Sequence, residues 1–108
     1  MTLDENIADN VGVKIAWLAY KLQAQKTLDT RKLPKLEKYT SDQLYFISLA
    51  NVHCTSATRE VRESLLDSVH TFGATRLNVP LRNFPKFGEV FSCKIGSGMM
   101  PNETCQIW

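Results

Sequence analysis

Met1-Thr-Leu-Asp-Glu-Asn-Ile-Ala-Asp-Asn10 opens a stretch whose reading decides the fold. Thr2 and Glu5 stand in the spacing of a capping box, and acids in a first turn suit the positive end of a helix. Beyond them the apolar residues Ile7, Val11, Ile15, Leu18 and Leu22 recur at intervals of four, four, three and four. That period predicts a long helix from about Asp4 to Gln25, with Trp17 and Tyr20 placed to pack on neighbouring elements. On such a helix Glu5 and Asp9 lie one turn apart on a single face. Two stacked carboxylates repel, so a fold that keeps them gives them a cation, a histidine or a backbone donor.

The rest of the chain continues in helices. Thr27 to Tyr39 is a polar connection carrying Lys32, Lys35 and Lys38, flanked by Lys26 and including Arg31, and Pro34 rules out a helix there. Its charges read as a solvated loop with no binding role. Thr40-Ser41-Asp42 marks a helix start, and Leu44, Phe46, Ile47, Leu49 and Ala50 predict a helix buried on most sides, to about Cys54. Thr55 or Ser56 caps a further helix from about Ala57 to Ser68, with Val61, Leu65 and Leu66 inward. Val69 to Leu81 reads as loop, with Gly73 and Pro80 as its punctuation and Arg76 to Val79 briefly extended. Asn83 and Pro85 open a short helix to about Phe91, lined by Phe84, Phe87 and Phe91. The tail from Cys93 to Trp108 is irregular, fixed by its cysteines and Trp108. The fold class is therefore mainly α, with an irregular cysteine-containing tail.

Composition narrows the functions open to the chain. Its 108 residues make one domain or part of one. With 13 basic against 11 acidic side chains, and no basic cluster set among aromatics, it has no nucleic-acid footprint. No apolar run is long enough to span a membrane, and the acidic N-terminus is no signal peptide. Any targeting segment of a secreted or anchored parent then lies outside this chain. Cys54, Cys93 and Cys105 are an odd set, so at least one lacks a partner within the chain. They fit either ordinary thiols of a cytosolic protein or an extracellular piece paired elsewhere. Asn102-Glu103-Thr104 is a glycosylation sequon. His53, in a buried helix, reads as a core histidine. His70, in a loop with Gly73, is the better candidate for chemistry. There is no HExxH, Cys-x-x-Cys or phosphate-binding glycine loop, so no internal motif assembles a zinc site.

Glu5-Asn-Ile-Ala-Asp-Asn10 resembles the ENIADN signature of the neprilysin and endothelin-converting-enzyme family of zinc metallopeptidases, and further matches follow in order. Leu33-Pro-Lys-Leu36 resembles the family's LPGL, and Gln43-Leu-Tyr-Phe-Ile-Ser-Leu-Ala50 its QLFFLSFA helix. His70-Thr-Phe-Gly-Ala-Thr-Arg76 is similar to HSPGxxR. Arg76 to Asn83 resembles RVNGPLSN, and Phe84 to Cys93 resembles FPEFxxAFxC. Gly96 to Pro101 is similar to the GSxMNP turn, and Cys105-Gln-Ile-Trp108 to a terminal CxxW. The sequence departs from the pattern at Asp4 and Val11, where glycines are usual, and at His53, where tryptophan is. Thr71-Phe72 stands for Ser-Pro, Met100 for asparagine, and Ser68 where an acid is common, which removes an expected partner of Arg76.

The resemblance implies that residues 1–108 are the C-terminal portion of one zincin-type peptidase catalytic domain, the HExxH-bearing part lying upstream. It implies one zinc ion with Glu5 as ligand and two histidines from that upstream part. Asp9 would orient a ligand histidine, His70 would donate to the oxyanion, and Arg76 would hold the peptide backbone. Cys54, Cys93 and Cys105 would pair with upstream cysteines, and Asn102 would carry glycan, as on a secreted or cell-surface ectodomain. The expected function is hydrolysis of peptide bonds in peptide substrates. The competing expectation is a truncated or degenerate paralogue with a structural or binding role, since Met1 stands just ahead of the ligand helix and HExxH is absent. In either case this chain alone is expected to be inactive.

Overall fold

A computed structural model describes residues 2–27 and 32–105. Arg31 and Trp108, invoked above, lie outside them. Five α-helices follow in order: α1 (Leu3–Thr27), α2 (Ser41–Val52), α3 (Arg59–Ser64), α4 (Gly73–Arg82) and α5 (Pro85–Val90), with a 3-10 turn (Leu65–Asp67) after α3. Among the described residues there is no strand beyond a single bridge between Ser97 and Met100. Among the described residues no helix is long and apolar enough to cross a membrane.

α1 carries Asp4 and Glu5 in its first turn and Lys26 in its last, both suited to the helix dipole. The Thr2 hydroxyl accepts from the Asn6 side-chain amide (3.2 Å), and Glu5 faces His70, so the reciprocal Thr2–Glu5 box does not form. The core forms on the face that carries Trp17, with Tyr20 packed beside it as expected, and not along the apolar stripe. Val13, Trp17, Phe46 and Leu81 are buried, whereas Ile15, Leu18 and Leu22 are 60%, 62% and 59% exposed. α1 has two apolar faces, and aromatic packing selects the one bearing Trp17. The Trp17 ring stacks on Phe46 (4.9 Å, 17°) and meets Tyr45 edge-on (5.2 Å). Phe46 in turn takes the edge of Phe87 at 5.3 Å. Aromatic rings bury large areas and pack with specific geometry.

α2 begins with a complete capping box: Gln43 N–H donates to the Thr40 hydroxyl (3.1 Å), and Thr40 N–H donates to Gln43 Oε1 (3.0 Å). Tyr20 and Lys21 both donate to Asp42, at 2.8 and 3.0 Å, and tie α1 to this end of α2. Only Phe46 of α2 is fully buried, and Ile47 and Val52 are exposed, so the helix is covered on one side rather than on most. α3 is shorter than expected. Thr58, not Thr55 or Ser56, caps it through Val61 N–H, and Val61 and Leu66 face solvent.

The expected loop after His70 is instead helix α4. Gly73 and Pro80 suggested punctuation, but each has a specific use. A Cβ on Gly73 would stand 2.6 Å from the His53 carbonyl oxygen, so glycine lets α4 start against the end of α2. Pro80 falls in the last turns, buried beside Leu81. Its missing N–H costs one helical bond, offset by burial against α1. Asn83 does not cap α5. It ends α4, Phe84 precedes α5, and Pro85 takes the first turn as expected. Phe84, Phe87 and Phe91 pack on the core from one side. In the tail, Met100 lies against Gly88, and Cys105 N–H donates to Asn83 Oδ1 (3.2 Å). No bond between its cysteines fixes it, because Cys54, Cys93 and Cys105 are all free thiols.

Candidate functional site

The N-terminal third of α1 lies along the segment 70–83, and the polar residues of Glu5-Asn-Ile-Ala-Asp-Asn10 meet that segment in order. Glu5 Oε2 lies 3.2 Å from His70 Nδ1. Thr71 donates its hydroxyl to Asn6 Oδ1 (3.4 Å). Arg76 donates to both oxygens of Asp9, from Nε and Nη2, each at 2.8 Å. Asn83 Nδ2 donates to Asn10 Oδ1 (3.0 Å). Helical geometry explains the pattern: positions 5, 6, 9 and 10 share one face, while the apolar residues between them turn elsewhere.

The two charged pairs differ in character. His70 and Glu5 are each 42% exposed at the side chain, and the contact has ion-pair range when the imidazole is protonated but lacks hydrogen-bond alignment. Asp9 and Arg76 form the fork-to-fork arrangement that binds strongest, with 17% and 27% of their side chains exposed. The Arg76 hydrogen bonds hold the Asp9 carboxyl below its ordinary range against the opposing effect of burial, and the charges of His53 and His70 add to this. The same bond raises the Arg76 guanidinium. Nη1 is left off the carboxylate. A small cleft of roughly 100 Å³ opens beside the pair, lined by Asn6, Asp9, Asn10, Arg76, Val79 and Pro80.

The family resemblance gave roles to four residues, Glu5, Asp9, His70 and Arg76, that the fold brings together. It left Arg76 without an anchor once Ser68 was noted, yet Asp9 supplies one. Ser68 serves the neighbouring histidine instead, its hydroxyl accepting from His70 N–H (3.1 Å). His53 is not a core histidine. It is half-buried at the C-terminal end of α2, near enough for its charge to act on Asp9. The amides Asn6, Asn10 and Asn83 were missed. Their signal was present in Asn6 and Asn10, which share the face of Glu5 and Asp9. Cys54, Cys93 and the exposed Asn102 stand apart from this site on connections and tail. Cys105 touches it only remotely, through Asn83.

Among the described residues no three His, Cys, Asp or Glu side chains converge to hold a metal ion. Glu5 offers one half-exposed carboxylate, an ordinary zinc donor, which needs further ligands from another segment to make a site.

The chain is similar in sequence to known peptidases. The chain is 39% identical over 111 residues to neprilysin-21 of Caenorhabditis elegans, 41% over 109 to neprilysin-3 of Drosophila melanogaster, and 40% over 108 to endothelin-converting enzyme 1 of Rattus norvegicus. Each alignment covers 99–100% of this chain but only 14% of the relative, so the chain spans about one seventh of their length. The model of peptidase family M13 matches residues 1–107, and the chain belongs to that family.

Proposed function

We propose that this chain forms the C-terminal part of a zinc metalloendopeptidase catalytic domain and contributes one wall of its site. The observation that carries the reading is the alignment of Glu5 with His70 and of Asp9 with Arg76 across α1 and the segment 70–83. Glu5 is the zinc ligand of this wall, with two histidines and the glutamate base coming from an upstream HExxH helix. The bound ion supplies Lewis acidity that activates water and polarises a peptide carbonyl. His70 keeps Nδ1 toward Glu5, which leaves Nε2 to donate to the developing oxyanion. Arg76 spends Nε and Nη2 on Asp9 and presents Nη1 to a substrate backbone carbonyl. Asp9, with one lone pair on each oxygen engaged by Arg76, retains acceptor capacity for a ligand histidine.

Two further observations support a partner segment. Ile15, Leu18 and Leu22 expose an apolar face that a larger domain would cover. Three free thiols and an exposed sequon asparagine fit a disulfide-bonded, glycosylated ectodomain, secreted or anchored at the cell surface. The test is to join the chain to an upstream HExxH-containing portion and measure zinc content and peptide cleavage, with Glu5→Gln as control. Zinc binding and cleavage, both lost in Glu5→Gln, are expected. A joined protein that folds but takes no zinc would favour the non-catalytic paralogue.

A further inference from the structure

Asn10 is the one fully buried polar residue among the described residues, 6% exposed in a core otherwise made of Val13, Trp17, Phe46 and Leu81. Both ends of its amide are satisfied. Nδ2 donates to the Asn6 carbonyl (2.8 Å), and Oδ1 accepts from Asn83 Nδ2 (3.0 Å). Asn83 ends α4, the helix that carries Arg76, and its own Oδ1 accepts from Cys105 N–H. This amide pair, buried on the Asn10 side and half-buried on the Asn83 side, is bonded in one register. A slide or rotation of α1 against α4 strands Asn10 Oδ1 away from water. Apolar contacts do not impose this, since Leu81 or Val13 tolerates a small slip.

The bond sits one residue from Asp9 and at the far end of α4 from Gly73. Asp9 and Arg76 meet through two bonds of 2.8 Å, a geometry that a shift of about 1 Å breaks. We infer that Asn10 and Asn83 are positioning residues: their amide pair sets the register of α1 on α4 and thereby aims Arg76 at the peptide-binding side of the site. This rests on the function proposed above only for what Arg76 binds, and the register itself can be tested without it.

The experiment has two arms. In the full 108-residue chain, NMR follows hydrogen exchange at Arg76 Nε–H in the wild type, Asn10→Ala, Asn83→Ala and the double variant, with helix content from far-ultraviolet circular dichroism. Each single variant is expected to speed that exchange by about ten-fold at unchanged helix content, the double variant no more than either. Unchanged exchange in folded single variants would overturn the inference. If Asn10→Ala unfolds, Asn83→Ala, which alters a half-buried residue, decides alone. In the joined peptidase the same variants should raise KM several-fold at unchanged zinc content, and Asn10→Ser should recover part of the loss. Faster exchange without any cleavage by the joined wild type would uphold the register and sink the peptidase reading. Loss of zinc together with activity would mark a merely structural role and count against positioning.

Discussion

Removing either partner of the Asp9–Arg76 pair tests whether the wall of the site is held by charge. The side chains are 17% and 27% exposed, so solvent screens them only in part. Two unit charges about 4 Å apart interact by about 4 kcal/mol at an effective dielectric near 20. Solvent reaching the partly exposed side chains screens the pair further, leaving a coupling of about 2 kcal/mol. Urea unfolding of the wild type, Asp9→Ala, Arg76→Ala and the double variant at pH 7 measures it as a double-mutant cycle. The acid side adds a second reading. The folded state holds Asp9 below its ordinary 3.8, so as pH falls the unfolded chain takes up that proton first, and stability falls with pH. The contribution is whole above pH 3.8 and disappears as pH drops through the depressed folded value. The gap between wild type and Asp9→Ala should therefore close in strong acid. A coupling below about 0.5 kcal/mol, the range of solvent-screened surface pairs, would refute the reasoning, as would a gap independent of pH.

Two glycines give expectations of different size. Gly73→Ala places a methyl 2.6 Å from the His53 carbonyl oxygen, backbone against backbone, and should cost about 1–3 kcal/mol despite alanine's better helix propensity. Gly88→Ala meets Met100 at Sδ (2.7 Å), Cγ (2.8 Å) and Cβ (3.1 Å); the thioether can turn away and the Cβ must yield slightly, so the loss should be about 1 kcal/mol, smaller than at Gly73. Comparing their thermal midpoints checks both, and equal losses would contradict the steric argument. Leu18→Glu changes a residue 62% exposed and should shift stability by no more than about 0.5 kcal/mol while reducing binding of an apolar fluorescent dye. A large destabilisation would mean that Leu18 is core after all.

That last expectation shows where the sequence was legible and where it was not. The period of residues 4–25 does specify a helix, and Gln43 and Thr40 specify how α2 begins. Local rules act on neighbours in the chain, so local features follow from them. Which face of α1 is buried is a question about partners. Ile15, Leu18 and Leu22 form the more regular apolar stripe, yet Trp17 finds Phe46 and Tyr45, and the other face turns inward. Helix α4 was hidden for a related reason. Gly73 and Pro80 are poor helix residues in isolation, and only the His53 carbonyl and the packing of Pro80 and Leu81 give them a place.

The residues of the candidate site were named in two ways. Glu5 and Asp9 at one-turn spacing demand compensation wherever they lie, whereas Arg76 and the role of His70 rest on the family resemblance. What that reasoning could not supply was the pairing: which acid meets which base depends on the register of α1 against α4. Asn10 and Asn83 carry that information, and neither is titratable, so a search for chemistry-bearing residues passes over them. A buried amide of this kind adds little to stability compared with the apolar side chain that could replace it, because its hydrogen bonds mainly offset the cost of leaving water. Its retention in a core of Trp17, Phe46 and Leu81 is explained by specificity of alignment. On the proposed function Glu5 and Asp9 face the chemistry, while Asn10, bonded to Asn83 at the end of α4, holds the helix that brings Arg76 to it.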